Sequence, residues 1–291
     1  GETAALEGRS WPTGWRIEPD IILRMPEPVK VRRGSVLDYQ FVVLPGAFGE
    51  DRWVRAVEVR PGDAAVVHHA VVYVRTPEMT WLRNGDTARR TTADILAVYA
   101  PGSNVVELPE GYAKKIPAGS DLILQLHYTA GKKDTEDRTS VGLRFSSAPR
   151  KRVHTLQMAR EDFMIGPGEP DARFSVSGTL PADVELLSLF PHLHLRGKAF
   201  EFLAGKRLLL RVKPYDFHWQ LTYWLREPLA LAKGTRLVWT AWYDNSAANP
   251  RNPDPKAVVR VGEQSWEEMR VGFFDVGVDP EVGKEELFRL R

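Results

Sequence analysis

An almost all-β chain, built as antiparallel sandwiches or jelly rolls, is the fold class this sequence predicts. Three observations predict it. Short runs rich in Val, Leu, Tyr, Phe and Trp recur along the 291 residues, 21 prolines and 23 glycines separate them, and helical periodicity is weak outside 92–97.

Taken in chain order, Tyr-Gln-Phe-Val-Val-Leu at 39–44 and the Val-rich run 64–74 open the strand set, followed by Leu-Ile-Leu-Gln-Leu-His-Tyr at 122–128 and Val-Gly-Leu-Arg-Phe at 141–145. Further strands are expected at 184–189, 199–202, 208–212, 237–243 and 271–276, each a β-branched, leucine-rich or aromatic run closed off by turn residues. At 291 residues the chain exceeds the usual single-domain size, which favours two units. Pro149 and the basic run that starts at Arg150 place the connection at 146–151. The expected division is a polar tail or linker at 1–15, a first domain at 16–150 and a second at 151–291. The start at Gly1, without an initiator Met, suggests a processed or truncated piece.

Composition removes several classes. Lys and Arg total 40 against 38 Asp and Glu, so the formal charge of +2 gives no electrostatic reason to expect nucleic acid or an anionic membrane. No apolar run approaches the roughly 20 residues of a spanning helix. Cysteine is absent, which excludes disulfides, iron–sulfur clusters and thiolate zinc sites. A bound metal would have to be carried by imidazole.

Five of the seven histidines fall in three groups: His68-His69, His127 and His192-Leu193-His194. At i and i+2 on a strand, His192 and His194 share one face and can share one ion. Met269 is a candidate third ligand, because a thioether is soft and favours Cu(I) over zinc or hard cations, although a methionine is more often core filler. Adjacent residues of a regular strand face opposite ways. His68 and His69 therefore meet one ion only through a twist or bulge, with one Nδ1 and one Nε2 ligand, or else one ring is buried and the other exposed. His127 is the candidate third imidazole there, with the amide of Gln125 on its own face. His154 and His218 are given no role.

The order His-His, Gln-x-His-Tyr, His-x-His and a distant Glu-Met resembles the copper type II, ascorbate-dependent monooxygenases. The likeness runs from about Pro19 to Val276 and includes Arg24-Met25-Pro26, 108–111 and 165–169. It implies two jelly-roll, antiparallel β-sandwich domains facing each other across a cleft, and two copper ions per chain: an electron-transfer ion on His68, His69 and His127, and an oxygen-binding ion on the catalytic set His192, His194 and Met269. Gln125 and Tyr39 would support the first. The resemblance further implies C–H hydroxylation of a small organic substrate with O2 and ascorbate or another one-electron reductant. An electron-donor protein or fused redox domain and an extracytoplasmic location would accompany that activity.

Where the family's peptide-hydroxylating members hold a peptide carboxylate, this chain carries Phe190, Val271 and Phe273. An apolar or aromatic substrate is expected instead, since a carboxylate there would lose its charge-assisted hydrogen bonds. Three other readings stand beside this one: a non-catalytic copper-binding or electron-transfer protein, a zinc or iron enzyme using His-x-His with a carboxylate, and a structural sandwich with incidental histidines.

Overall fold

Alternation along the strand Asp121–Tyr128 sets the architecture of the first half. Leu122, Leu124 and Leu126 are fully buried in one core, whereas Ile123 packs with Val71, Tyr73 and Trp81 on the opposite face. The computed structural model describes residues 14–290 apart from 36, 45, 47, 83–92, 101–104, 130–131, 160–161, 263 and 288.

Asp121–Tyr128 lies between Gln40–Leu44 and Val67–Arg75 in an antiparallel sheet that Asp94–Tyr99 completes. Its inner face packs on Arg52–Arg60 and Ser140–Ser146 through Val57, Val59, Val141 and Leu143. In the second half, Lys151–Ala159, Val271–Val278, Val184–His192 and Tyr223–Leu231 form a sheet run that faces a five-stranded sheet. Between them Leu156, Met158, Leu186, Leu189, Phe274 and Val276 meet Phe200, Phe202, Trp239 and Ala241. The fold is thus all-β, with two antiparallel sandwiches.

The sandwiches share a sheet. Lys151 and Arg152 pair in parallel with Tyr112 and Ala113, which joins Lys151–Ala159 to Tyr112–Ile116 and makes one run across both halves. A buried polar link reinforces the joint. The Lys114 ammonium donates to the Ile95 and Leu96 carbonyls and to Thr155, and lies 3.1 Å from Asp275, which also accepts from Ser188. Every polar group in that cluster has a partner, as burial requires.

Two expectations are corrected. The span 92–97 is not helical: residues 94–99 form a strand on the edge of Val67–Arg75, because a short apolar run fits either structure until a sheet edge claims it. Residue 92 lies outside the described residues. Lys151 and Arg152 are not a solvated linker but open a strand, with their charges met by Asp279 at 2.6 Å and Asp94 at 3.4 Å. Of the expected tail, 1–13 lie outside the described residues, while Trp15 packs under Arg60 and against Gly142. A Cβ at Gly142 would sit 2.7 Å from the Trp15 ring, so only glycine admits that approach.

Candidate metal centre

The outer faces of the two sandwiches meet, and period-2 alternation decides what they bring. From the first half come Ile123, Gln125 and His127, with Val71, Tyr73 and His69 from the neighbouring strand. From the second come Ser188, Phe190 and His192, with Phe273 and Asp275. Apolar contact holds the middle of the joint, and the imidazoles lie beyond it.

A bulge lets the adjacent histidines converge. Val67 pairs with Tyr128 and His69 with His127, so His68 is the extra residue, and its ring turns toward that of His69 instead of away from it. The two Nδ1 atoms are 3.2 Å apart, and one ligand atom from each of His68, His69 and His127 lies within 4.8 Å of the others. Both rings of the adjacent pair present Nδ1 to each other, where one Nδ1 and one Nε2 were expected. With metal–nitrogen bonds of about 2.0 Å, a 3.2 Å separation corresponds to an angle of roughly 106° at a shared ion, near tetrahedral. His68 Nε2 and His127 Nδ1 are buried with no hydrogen-bond partner. Such orphaned atoms ordinarily call for an ion or water.

Tyr39 packs against this trio, with ring centroids 4.9 Å from His127 and 5.5 Å from His69. The Gln125 amide oxygen accepts from the Tyr73 hydroxyl at 3.2 Å.

His192 and His194 stand with ring centroids 5.3 Å apart. Their tautomers are set by their partners. His192 Nδ1–H donates to Gln220 Oε1 at 2.7 Å, and the Gln220 amide nitrogen is in turn held by the Phe217 carbonyl. The Glu267 carbonyl can only accept, so His194 Nδ1–H donates to it at 3.3 Å. Both Nε2 lone pairs are left for a ligand. His192 pairs with Val271 across the sheet, and Met269 lies two residues before Val271 and next to Glu268, whose carboxyl accepts from the His194 backbone N–H. Met269 is half-buried, and its carbonyl accepts from Tyr243.

The two groups touch, for the His69 and His192 rings are 5.8 Å apart. Residues 215–220 bind them together: Tyr215 hydrogen-bonds both backbone groups of Leu193, Phe217 stacks on His68 at 4.5 Å, and Gln220 holds His192. Glu268, fully buried, accepts from the backbone N–H groups of His194 and Arg196. Sequence reasoning missed Tyr215, Phe217, Gln220 and Glu268 as parts of the site. The aromatic run 215–220 was a signal, but nothing in it names its partners.

Burial keeps the imidazoles neutral. It pushes His68 down to about 3 and His127 to about 4, with neighbouring imidazoles adding to both shifts, and it lowers His69, His192 and His194 as well. Unfolded imidazoles titrate near 6.5. Between about 6.5 and 4 the unfolded chain therefore binds more protons than the folded one, and stability falls as pH falls. Each imidazole contributes a slope of up to about 1.4 kcal/mol per pH unit. Burial pushes Glu268 up to about 8, which acts in the opposite sense and offsets one of the five. Melting of the metal-free protein at fixed ionic strength should drop steeply from pH 6.5 to 4.5, and a flat profile would contradict this account.

Phe190 and Phe273 pack at 5.9 Å and line a cavity with Val98, Thr222 and the Lys114–Asp275 link, while Val271 sits in the sheet opposite His192. The cavity measures about 20 Å³, room for a water molecule and not for an organic substrate.

No family model matches the chain, and no curated protein matches it. Among solved structures, the major capsid protein P2 of bacteriophage PM2 is similar at TM-score 0.38 and 10% identity, over 90% of this chain and 99% of that one. PBCV-1 VP54, fitted into a reconstruction of the virophage Sputnik, gives TM-score 0.29 and 7% identity over 96% and 98%. VP2 of infectious bursal disease virus gives TM-score 0.22 and 10% identity over 93% and 74%. At these TM-scores the likenesses assign no role to this chain. The expected membership in the copper type II monooxygenases is corrected, and with it the C–H hydroxylation, small-molecule substrate, O2 and electron-donor partner it implied: no family model and no curated protein that matches this chain carries them.

Proposed function

We propose that this chain is a copper-binding protein that holds two ions, one on His68, His69 and His127 and one on His192, His194 and Met269. The observation that carries the reading is the trio of neutral imidazoles around a bulge, His68 and His127 buried and His69 half-buried, with His127 Nδ1 left without a partner. Burying such an atom unpaired costs about 1–3 kcal/mol, and a metal ion would offset that cost.

The donor set favours copper. Three imidazoles suit zinc as well as copper, whereas hard cations need oxygen ligands, and the buried Glu268 carboxyl beside His194 is committed to backbone N–H groups. Imidazole and thioether suit copper, and for a given site of nitrogen donors copper binds more tightly than zinc.

Anaerobic titration of the metal-free protein with Cu(I) tests the reading. Two tightly held equivalents are expected, with a nitrogen-dominated X-ray absorption spectrum and one sulfur scatterer shared between two ions. Saturation below two equivalents, or no sulfur signal, would overturn it.

A further inference from the structure

Among the described residues, no carboxylate backs any of the five clustered imidazoles. His192 Nδ1–H donates to the Gln220 amide oxygen at 2.7 Å and His194 Nδ1–H to the Glu267 carbonyl at 3.3 Å. The Glu268 carboxyl lies beside them, yet it accepts from the backbone N–H groups of His194 and Arg196. His68 and His69 turn their Nδ1 atoms to each other, and His127 Nδ1 meets no acceptor. The histidine that does face a carboxylate, His154 with Asp94 at 3.3 Å, belongs to a different cluster.

The orientation of Gln220 is fixed from its other end. Its amide nitrogen donates to the Phe217 carbonyl at 2.9 Å, which sets the oxygen on His192, and the residue is buried. Glutamate has the same length and nearly the same volume, so this chain carries a neutral amide where a carboxylate would reach the same ring nitrogen. An imidazole ligand brings no charge of its own. An ion held here therefore keeps its full charge, one unit as Cu(I) and two as Cu(II). The cost of burying charge rises with its square, and no hydrogen-bonded anion offsets it at these rings. A carboxylate behind a ligand histidine raises its basicity and favours the doubly charged state, and an amide does so less.

We infer that this cluster selects copper in the reduced, Cu(I) state, and that Gln220 sets the preference at the second ion by backing His192 with an amide in place of a carboxylate. The inference rests on the copper-binding reading above. Gln220 is a positioning residue: it acts through His192 and does not touch the ion.

Redox titration of the protein loaded with two copper ions tests this. In the wild type the ratio of Cu(I) to Cu(II) affinity should exceed that of copper in aqueous imidazole by more than about tenfold. A ratio at or below that of aqueous imidazole would overturn the inference, and this arm requires no variant to fold. Gln220→Glu should lower one of the two one-electron steps by about 59 mV, a tenfold change in that ratio, and leave the other in place. Gln220→Leu removes the acceptor without supplying charge. It should loosen Cu(I) and Cu(II) alike and leave the potential near the wild-type value. No shift in Gln220→Glu, or an equal shift in Gln220→Leu, would overturn the role of Gln220. Wild-type protein that takes up no copper in either state would overturn the copper reading itself.

Discussion

His127→Ala is expected to lower the copper retained after dialysis from two ions per chain to one while the sulfur scatterer persists, and Met269→Ala to lower it to one with that scatterer gone. His127 faces His69 directly across the ladder, and its ring nitrogen is buried with no partner. Removing it leaves two imidazoles 3.2 Å apart at their Nδ1 atoms and opens the third corner of the trio. Losing a ligand should exceed the roughly 10- to 100-fold that outer-shell changes cost in metal affinity. The fold should survive in both variants. His127 lies on the face opposite Leu122, Leu124 and Leu126 and contributes nothing to that core. Copper quantification with X-ray absorption reads both numbers, and two ions retained by either variant would break the proposed division of ligands.

How much of this was legible in the sequence depended on the range of the interactions involved. The nine expected strands all exist, with ends within a few residues, because each run is apolar enough to be at least half-buried on one face. Arg52–Arg60 was missed because its alternating charges hide Val54, Ala56 and Val57, which are buried. Tyr223–Leu231 was missed because Pro228 argues against a strand, and it is found on a sheet edge beside a bulge, where proline is tolerated. The histidine groups were visible because spacing along a strand fixes which rings share a face. The parts that orient them were not. Gln220 reaches His192 across 28 residues and Glu268 reaches His194 across 74, and neither spacing leaves a mark in local pattern.

Glu268 is where that hidden part of the site should have its largest effect on stability. Its two oxygens accept from the N–H groups of His194 at 2.8 Å and Arg196 at 2.7 Å, which ties the His-x-His turn to the segment carrying Met269. Alanine would orphan both donors at about 1–3 kcal/mol each and leave a cavity, so Glu268→Ala should cost roughly 3–5 kcal/mol. Glutamine keeps one acceptor and the side-chain volume, so Glu268→Gln should cost about 1–2 kcal/mol. Burial pushes the carboxyl up to about 8, so the fold disfavours its charge and losing that charge in glutamine costs less than it would for a strongly stabilised carboxylate. The two variants should therefore rank alanine well below glutamine in urea unfolding. Both should lose affinity at the His192, His194 and Met269 ion more than at the histidine trio, since the trio shares no hydrogen bond with Glu268. A cost below about 1 kcal/mol for alanine would show that the turn is held by other contacts, with Tyr215 on Leu193 the first of them.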